Sequence, residues 1–286
     1  GTFVCALAAS TARAQSESGF YHPLTLAPAD AAASGGGAGD DANAQKAALA
    51  KAVLNPIASL ISVPLQNNFD WGAGPKDDGF QYKLNVQPVI PISLNENWNV
   101  ISRTIVPYVY QENVIGSTSQ SGLADTVQSL FFSPVKPTAS GWIWGAGPVL
   151  QIPTATDDLL GEEKWGAGPT GVALKQQGRW TYGALFNHVW SFAGEDGRED
   201  VSRTFLQPFV SYTTKTFTSL GANTESTYDW QREQWTVPLN GFVQQLLKVG
   251  KQPIALQLGG RYYAEGPSGA PDWGLRFQIQ FLFPKK

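Results

Sequence analysis

The sequence predicts an all-β fold: a transmembrane, antiparallel up-and-down β-barrel of about twelve strands, preceded by a short N-terminal helix. Three observations carry this. Apolar and polar residues alternate with period two from about residue 60 to residue 284. The alternating runs are about 10 to 14 residues long, against five or six in soluble sheets and about 9 to 11 for a tilted membrane strand. Charged residues make up 15% of the chain and aromatic residues 12%, with ten tryptophans; about 25% charge is usual for a soluble domain. The formal net charge of the 286 residues is −3, which gives nucleic acid no electrostatic foothold. No run of about 20 apolar residues exists for a helical membrane span.

The elements follow in chain order. Residues 1–14 read as the remnant of a signal peptide, with an apolar run Phe3–Ala9 and a small-x-small site at Ala12-Arg13-Ala14. The single cysteine, Cys5, falls inside it, so the exported chain is expected to hold no disulfide, reactive thiol or Cys-ligated metal. Residues 15–58 read as a flexible segment, rich in Ser, Ala, Gly and Asp, that ends in a helix. That helix starts at Asp40-Asp41, with acidic residues at its positive end, and stops near Asn55-Pro56. Its apolar face is mostly alanine and needs a larger partner. This makes it a candidate plug for the barrel of residues 59–286.

Turn signals such as Lys76-Asp77-Asp78-Gly79, Gly194-Glu195-Asp196-Gly197 and Gly266-Pro267-Ser268-Gly269 divide the remainder. They set strands near 60–72, 79–93, 98–111, 122–135, 141–153, 164–176, 179–193, 201–214, 216–230, 234–248, 252–265 and 272–284. In the last strand Trp273, Leu275, Phe277, Ile279, Phe281 and Phe283 share one face, while Arg276, Gln278 and Gln280 share the other. The polar faces carry Gln, Asn and Arg in place of the Lys and Glu of a soluble sandwich, as expected of a barrel that is apolar outside and polar inside. The obstacle is proline. Pro88, Pro107, Pro148, Pro169, Pro208 and Pro238 all fall within strands, where each removes a ladder donor.

Trp-Gly-Ala-Gly-Pro occurs three times, at Trp71–Pro75, Trp144–Pro148 and Trp165–Pro169. The unequal spacing excludes a solenoid. Tryptophan at a strand end suits the aromatic girdle at a membrane interface, and the glycines suit a bend or close backbone approach. Trp71, Trp144, Trp165, Trp273 and Phe283 are the expected girdle residues.

Strand parity also yields a lumen. It places Asp70, Lys83, Asn85, Gln87, Arg103, Gln151, Asn223, Glu225, Arg261, Tyr263, Arg276 and Gln278 inside as the candidate solute path, with Gln66, Asn68, Gln81 and Gln280 beside them. Parity near residues 122–136 and 179–193 is ambiguous, and the lumen is expected to be mostly polar. Two readings stay open: charges of both signs lining a water path, or Arg103, Arg261 and Arg276 pairing with Asp70 and Glu225 to fill the barrel. Twelve strands leave room for a narrow channel. Asp157, Asp158, Glu162 and Glu163 share one loop, but their spacing matches no Ca²⁺ loop, and a solvated acidic loop is expected. His188 and Ser191 would suit a lipid-facing hydrolase only on one face, yet residues three apart in a strand point oppositely. No catalytic residue, metal or other cofactor is expected.

Several stretches resemble the outer-membrane proteins grouped as the meta-pathway phenol-degradation family. These are Asn55-Pro56 with Leu60–Asn68, then Trp144–Pro169 (WGAGPVLQIPTATDDLLGEEKWGAGP), Tyr182–Gly194 (YGALFNHVWSFAG) and Leu206–Tyr212 (LQPFVSY). The resemblance covers about residues 50 to 286. It implies a β-barrel of the Gram-negative outer membrane acting as a transporter, with small aromatic or apolar compounds as its solutes. The partners that go with it are outer-membrane lipid, a small-molecule solute and, through the C-terminal strand, the outer-membrane insertion machinery. A filled barrel serving as an anchor or assembly partner is the alternative, and a lipid-modifying enzyme the third.

Overall fold

The computed structural model describes residues 38–284. The expected signal peptide and the Gly-rich part of the N-terminal segment lie outside the described residues. Helix α1 covers Ala38–Val53. Fifteen strand segments follow, and three pairs of them continue one another across a break of one or two residues, which leaves twelve strands. These are β1 (Ile61–Ala73), β2 (Gly79–Val86 and Val89–Ser93), β3 (Trp98–Glu112), β4 (Ser119–Leu123 and Thr126–Pro134), β5 (Trp142–Ile152) and β6 (Lys164–Gln177). Then come β7 (Trp180–Gly194), β8 (Ser202–Thr213), β9 (Thr218–Thr224 and Ser226–Asp229), β10 (Gln234–Val249), β11 (Gln252–Glu265) and β12 (Trp273–Phe283).

Each strand pairs antiparallel with the next, and β12 pairs with β1 from Ile61↔Phe283 to Trp71↔Trp273. The ring is therefore a closed twelve-stranded antiparallel barrel. The near end, as named here, is where β1 begins and β12 finishes; the other is the far end. Alternation sorts the faces with inverted polarity. Leu220 and Leu258 on the outside are 54% and 58% exposed, while Asn68 and Asp70 inside are each 1% exposed. An apolar outer wall and a hydrogen-bonded inner one suit lipid outside and polar groups within.

The prolines explain the irregularities. Pro88 occupies the break in β2. Pro107 faces the break in β4, where its carbonyl accepts the Ala124 amide at 2.9 Å. Pro208 lies beside the break in β9: the ladder runs Phe209↔Asn223 and resumes at Leu206↔Ser226, skipping Thr224 and Glu225. At Pro238 the register with β11 shifts by a residue. A strand lacking an N–H loses a rung, and the chain bulges there instead of leaving a buried group unpaired. The expected strand 122–135 therefore starts earlier, at Ser119, and is interrupted at Ala124-Asp125.

The second and third Trp-Gly-Ala-Gly-Pro copies lie side by side with Pro148 opposite Pro169. Neither proline needs to donate to the other. The missing rungs fall on the outer sides, between Ser129↔Val149 and Phe132↔Ala146, and between Ala167↔Trp190 and Thr170↔Asn187. Next to each proline a glycine admits the neighbouring backbone: a β-carbon on Gly147 would collide with the Leu130 carbonyl oxygen, and one on Gly168 with that of His188. The antiparallel copies send their tryptophans in opposite directions. Trp144 lies opposite Ala173, and residues 165 to 173 of β6 rise by roughly 26 Å before tilt. One motif thus sets a tryptophan near each edge of an apolar band about 25 Å tall. The first copy closes a turn at the far end of β1, where Gly72 and Gly74 take φ of 78° and 82°.

The other aromatics join the same two belts. Trp98 packs edge-on to Trp144 at 6.0 Å and Trp142 to Tyr182 at 6.1 Å at the near end. Trp71 stacks on Trp273 at 4.7 Å at the far end. Phe283 ends β12 on the outer face of the near end, and Trp165 starts β6 exposed at the far end.

The glycine contacts give a paired prediction. Gly147→Val and Gly168→Val should abolish refolding, whereas Gly171→Ala, whose nearest contact would be 3.8 Å away, should refold as the parent does. Heat-modifiable electrophoretic mobility and circular dichroism in detergent will distinguish them.

Candidate functional site

The polar wall of the lumen is built from β1, β2 and β9–β12. Glu225, at the break in β9, reaches inward and takes two guanidinium groups. Arg276 binds it as a fork, Nη1 to Oε1 and Nη2 to Oε2, both at 2.8 Å, and Arg261 Nη2 donates to Oε2 at 2.9 Å. Arg261 Nη1 also pairs with Asp70 at 3.2 Å. Gly274 lies opposite both Asp70 and Arg261 on the flanking strands, and a β-carbon there would strike the Asp70 carboxylate. The missing side chain is what lets the pair meet. The Arg261 guanidinium also lies 5.5 Å from the ring centre of Tyr263.

An amide chain continues from this cluster. Arg276 Nε donates to Asn68 Oδ1 at 2.7 Å, and Gln66 Oε1 accepts from Asn85 at 3.0 Å and Gln87 at 3.3 Å. Gln66 Nε2 donates to Gln278 at 3.5 Å. Asn240 bridges Arg261 and Asn223, at 3.1 and 2.9 Å. Arg103 sits at the end of the chain, donating only to Gln87 Oε1, at 3.0 Å. Among the described residues neither Arg103 nor Lys83 has an ion pair, so this wall sets four cations (Lys83, Arg103, Arg261, Arg276) against two carboxylates (Asp70, Glu225). Of the two pairings open from the sequence, Arg261 and Arg276 take the filled one and Arg103 does not.

The opposite wall corrects the expectation of a mostly polar lumen. Ile101, Phe131, Val172, Leu174 and Leu185 point inward from β3, β4, β6 and β7 and form one buried cluster. Parity was ambiguous at Phe131 and Leu185 because both faces of their strands carry apolar residues: Leu130 and Phe132 flank Phe131, and Ala184 and Phe186 flank Leu185. The ladder register separates them, setting Phe131 opposite inward Ile101.

Two cavities occupy the lumen. One of about 170 Å³ lies toward the near end and is closed by Val53–Pro56. The other, of about 300 Å³, lies toward the far end and reaches Gln151, Asn187 and Arg203. Gln66, Gln87, Arg103, Gln207 and Glu225 border both and so form the septum between them.

The end of α1 spans the near mouth. The Lys51 carbonyl accepts from Gln176 of β6 at 2.8 Å, while Leu49, Ala52 and Val53 pack with Leu282 of β12 and Leu246 of β10. β6 and β12 are on opposite sides of the ring. Ile57 then inserts into the apolar cluster.

The acidic loop at the far end is not simply solvated. Glu162 pairs with Arg203 at 2.9 Å and Glu163 with Arg198 at 3.3 Å. Arg198 also donates to the carbonyls of Asp158 and Gly161, and Asp157 caps the Leu159 amide at 2.9 Å. The four carboxylates do not converge, and no acidic, His or Cys cluster fit for a metal occurs among the described residues. His188 faces outward, tilted against Trp190 with ring centres 4.0 Å apart and Nδ1 2.7 Å from Thr204. Ser191 pairs with inward Gly166 and binds Asp200 at 3.1 Å. The two are on opposite faces.

No profile of a known protein family matches the chain, and no curated protein sequence does. Among solved structures, an outer-membrane channel from Pseudomonas putida F1 aligns with a TM-score of 0.61 and 14% identity, over 79% of this chain and 96% of that one. The outer-membrane phospholipase A of Escherichia coli aligns with a TM-score of 0.43 and 12% identity, over 79% and 90%. The first likeness shows an outer-membrane type of barrel. At 14% identity it shows the fold alone.

Glu225 is the counter-charge for two buried guanidiniums, and removing one partner of such a cluster costs about 3 to 5 kcal/mol. Glu225→Gln should therefore lower the unfolding free energy in lipid by about that amount, read from the urea midpoint. Lys83→Gln, which removes a cation without an ion pair, should not lower it.

Proposed function

We propose that the chain forms a narrow channel for small solutes in the Gram-negative outer membrane, with α1 as a plug at its near mouth. The observation that carries this is the pair of cavities separated only by a septum of five side chains inside a closed barrel. On this reading a solute passes when this septum and the α1 segment move. The side chains of Gln66, Gln87, Arg103 and Gln207 turn on a fast timescale, and displacement of a short segment is slower. The excess of cations on the polar wall, four against two carboxylates, favours anions over cations. The apolar strip beside it gives the carbon body of a solute somewhere to lie, which suits the aromatic class suggested by resemblance.

One observation favours a second reading. The Asp70–Arg261–Glu225–Arg276 cluster stiffens half of the lumen, as in a filled barrel that anchors or assembles with other components. An enzymatic reading has less support, because Ser191 lies on the face opposite His188. Phe283, at the end of the last strand, supports recognition of that strand by the outer-membrane insertion machinery.

Planar-bilayer recording separates these readings. The refolded chain should show small, intermittent currents, and a chain starting at Ala58 should show larger, steady ones with anion preference. Silence from both would leave the filled barrel as the better account.

A further inference from the structure

We propose that the far-side cavity is a binding site for a small organic anion, a carboxylate on a compact apolar body, held by Arg103 and Gln151. The proposal rests on the solute-channel reading and names its solute class. The cavity, about 300 Å³, lies at the lower end of the range of small-molecule sites.

Two donors on its wall lack acceptors. Arg103 makes one side-chain hydrogen bond, to Gln87, and has no carboxylate partner. Its other guanidinium donors are not among the buried unpartnered atoms, so they open onto the lumen. Gln151 is 7% exposed, and its Nε2 is buried with no hydrogen-bond partner. A buried amide donor without an acceptor costs about 1 to 3 kcal/mol, a cost that a ligand oxygen removes. The other charges on this cavity are already matched. Glu225 is held by two arginines, and Arg203 is shared between Glu162 and Asp229. Among the residues lining this cavity Arg103 is the cation without an ion pair, and a single free guanidinium suits a monoanion.

The rest of the wall selects the body. Ile105 is the next inward residue after Arg103 on β3 and pairs with Val127, which in turn pairs with Gln151. Val189 and Phe205 complete an apolar surface on the same cavity. Arg103 and Gln151 thus stand on either side of Ile105 and Val127, so a carboxylate between them takes one donor on each oxygen while its carbon body lies on the apolar residues. A bare inorganic anion leaves the apolar wall unfilled. A neutral aromatic leaves both donors unpaired, and sites built around buried donors discriminate strongly against ligands without the acceptor.

Calorimetric titration of the full refolded chain in detergent with benzoate, benzyl alcohol and acetate tests this. Benzoate should bind saturably, at least tenfold more tightly than benzyl alcohol or acetate. Arg103→Gln and Gln151→Leu should each weaken benzoate at least fivefold, with Arg103→Lys intermediate. Equal binding of benzoate and benzyl alcohol by the parent protein would overturn the proposal, and so would undiminished benzoate binding by Arg103→Gln. If Arg103→Gln does not refold, the parent's three-ligand ranking and Gln151→Leu decide in its place. Equilibrium binding does not depend on conduction, so the two readings fail separately. A protein that prefers benzoate but passes no current keeps the site and loses the channel; one that conducts without that preference loses the site alone.

Discussion

The pairing of β1 with β12 is the constraint on which the rest of this molecule depends. In hydrocarbon no water is available to satisfy a strand edge, so the ladder must close on itself. Closure fixes which residues face inward on every strand, because a slip of one residue would exchange the two faces. It also brings Asp70 and Asn68 of β1 beside Arg276 of β12, residues more than two hundred positions apart in sequence. The charged cluster of the lumen exists only because that seam is closed.

Within this closed ring, proline and glycine act as placed irregularities. Strands in lipid cannot leave an amide unpaired, so each proline requires a compensating break in itself or its neighbour. Beside Pro208 the ladder is interrupted at Thr224 and Glu225, and Glu225, inward like Asn223 and Thr227, reaches between two arginines. The two prolines that face each other put their missing rungs on the outer sides, and the adjacent glycines let the next backbone approach. The same feature that argues against a barrel in the sequence is, in the folded ring, what shapes the site.

The lumen itself is two-sided. One wall is a network of amides and charges with an excess of positive charge; the other is an aliphatic and aromatic surface against which Ile57 packs. Low local dielectric makes the ion pairs strong and the unpaired donors costly. Rigid and unsatisfied groups therefore coexist within a few ångströms. Paired Arg261 and Arg276 hold the wall, while Arg103 has no ion pair and Gln151 Nε2 no acceptor. The α1 segment joins the two sides at the near mouth, where its contacts reach strands on opposite sides of the ring.

Strand number, strand length and the inward parity of the lumen positions were legible from residue order alone. Period two is a local property, and membrane thickness sets the run length. The girdle residues Trp71, Trp165 and Trp273 could be placed at strand ends for the same reason. Three things were decided only by the tertiary structure. The apolar strip of Phe131 and Leu185 could not be assigned a face, because apolar neighbours on both sides leave no alternation to read. The pairing of Arg276 with Glu225, and the isolation of Arg103, depend on which strands meet across the ring, and sequence spacing carries no record of that. The outcome at each proline depends on the register of the strand beside it. Sequence determined the wall strand by strand; closure decided which charges meet inside it, since a contact between distant residues forms only when the whole ladder is in register.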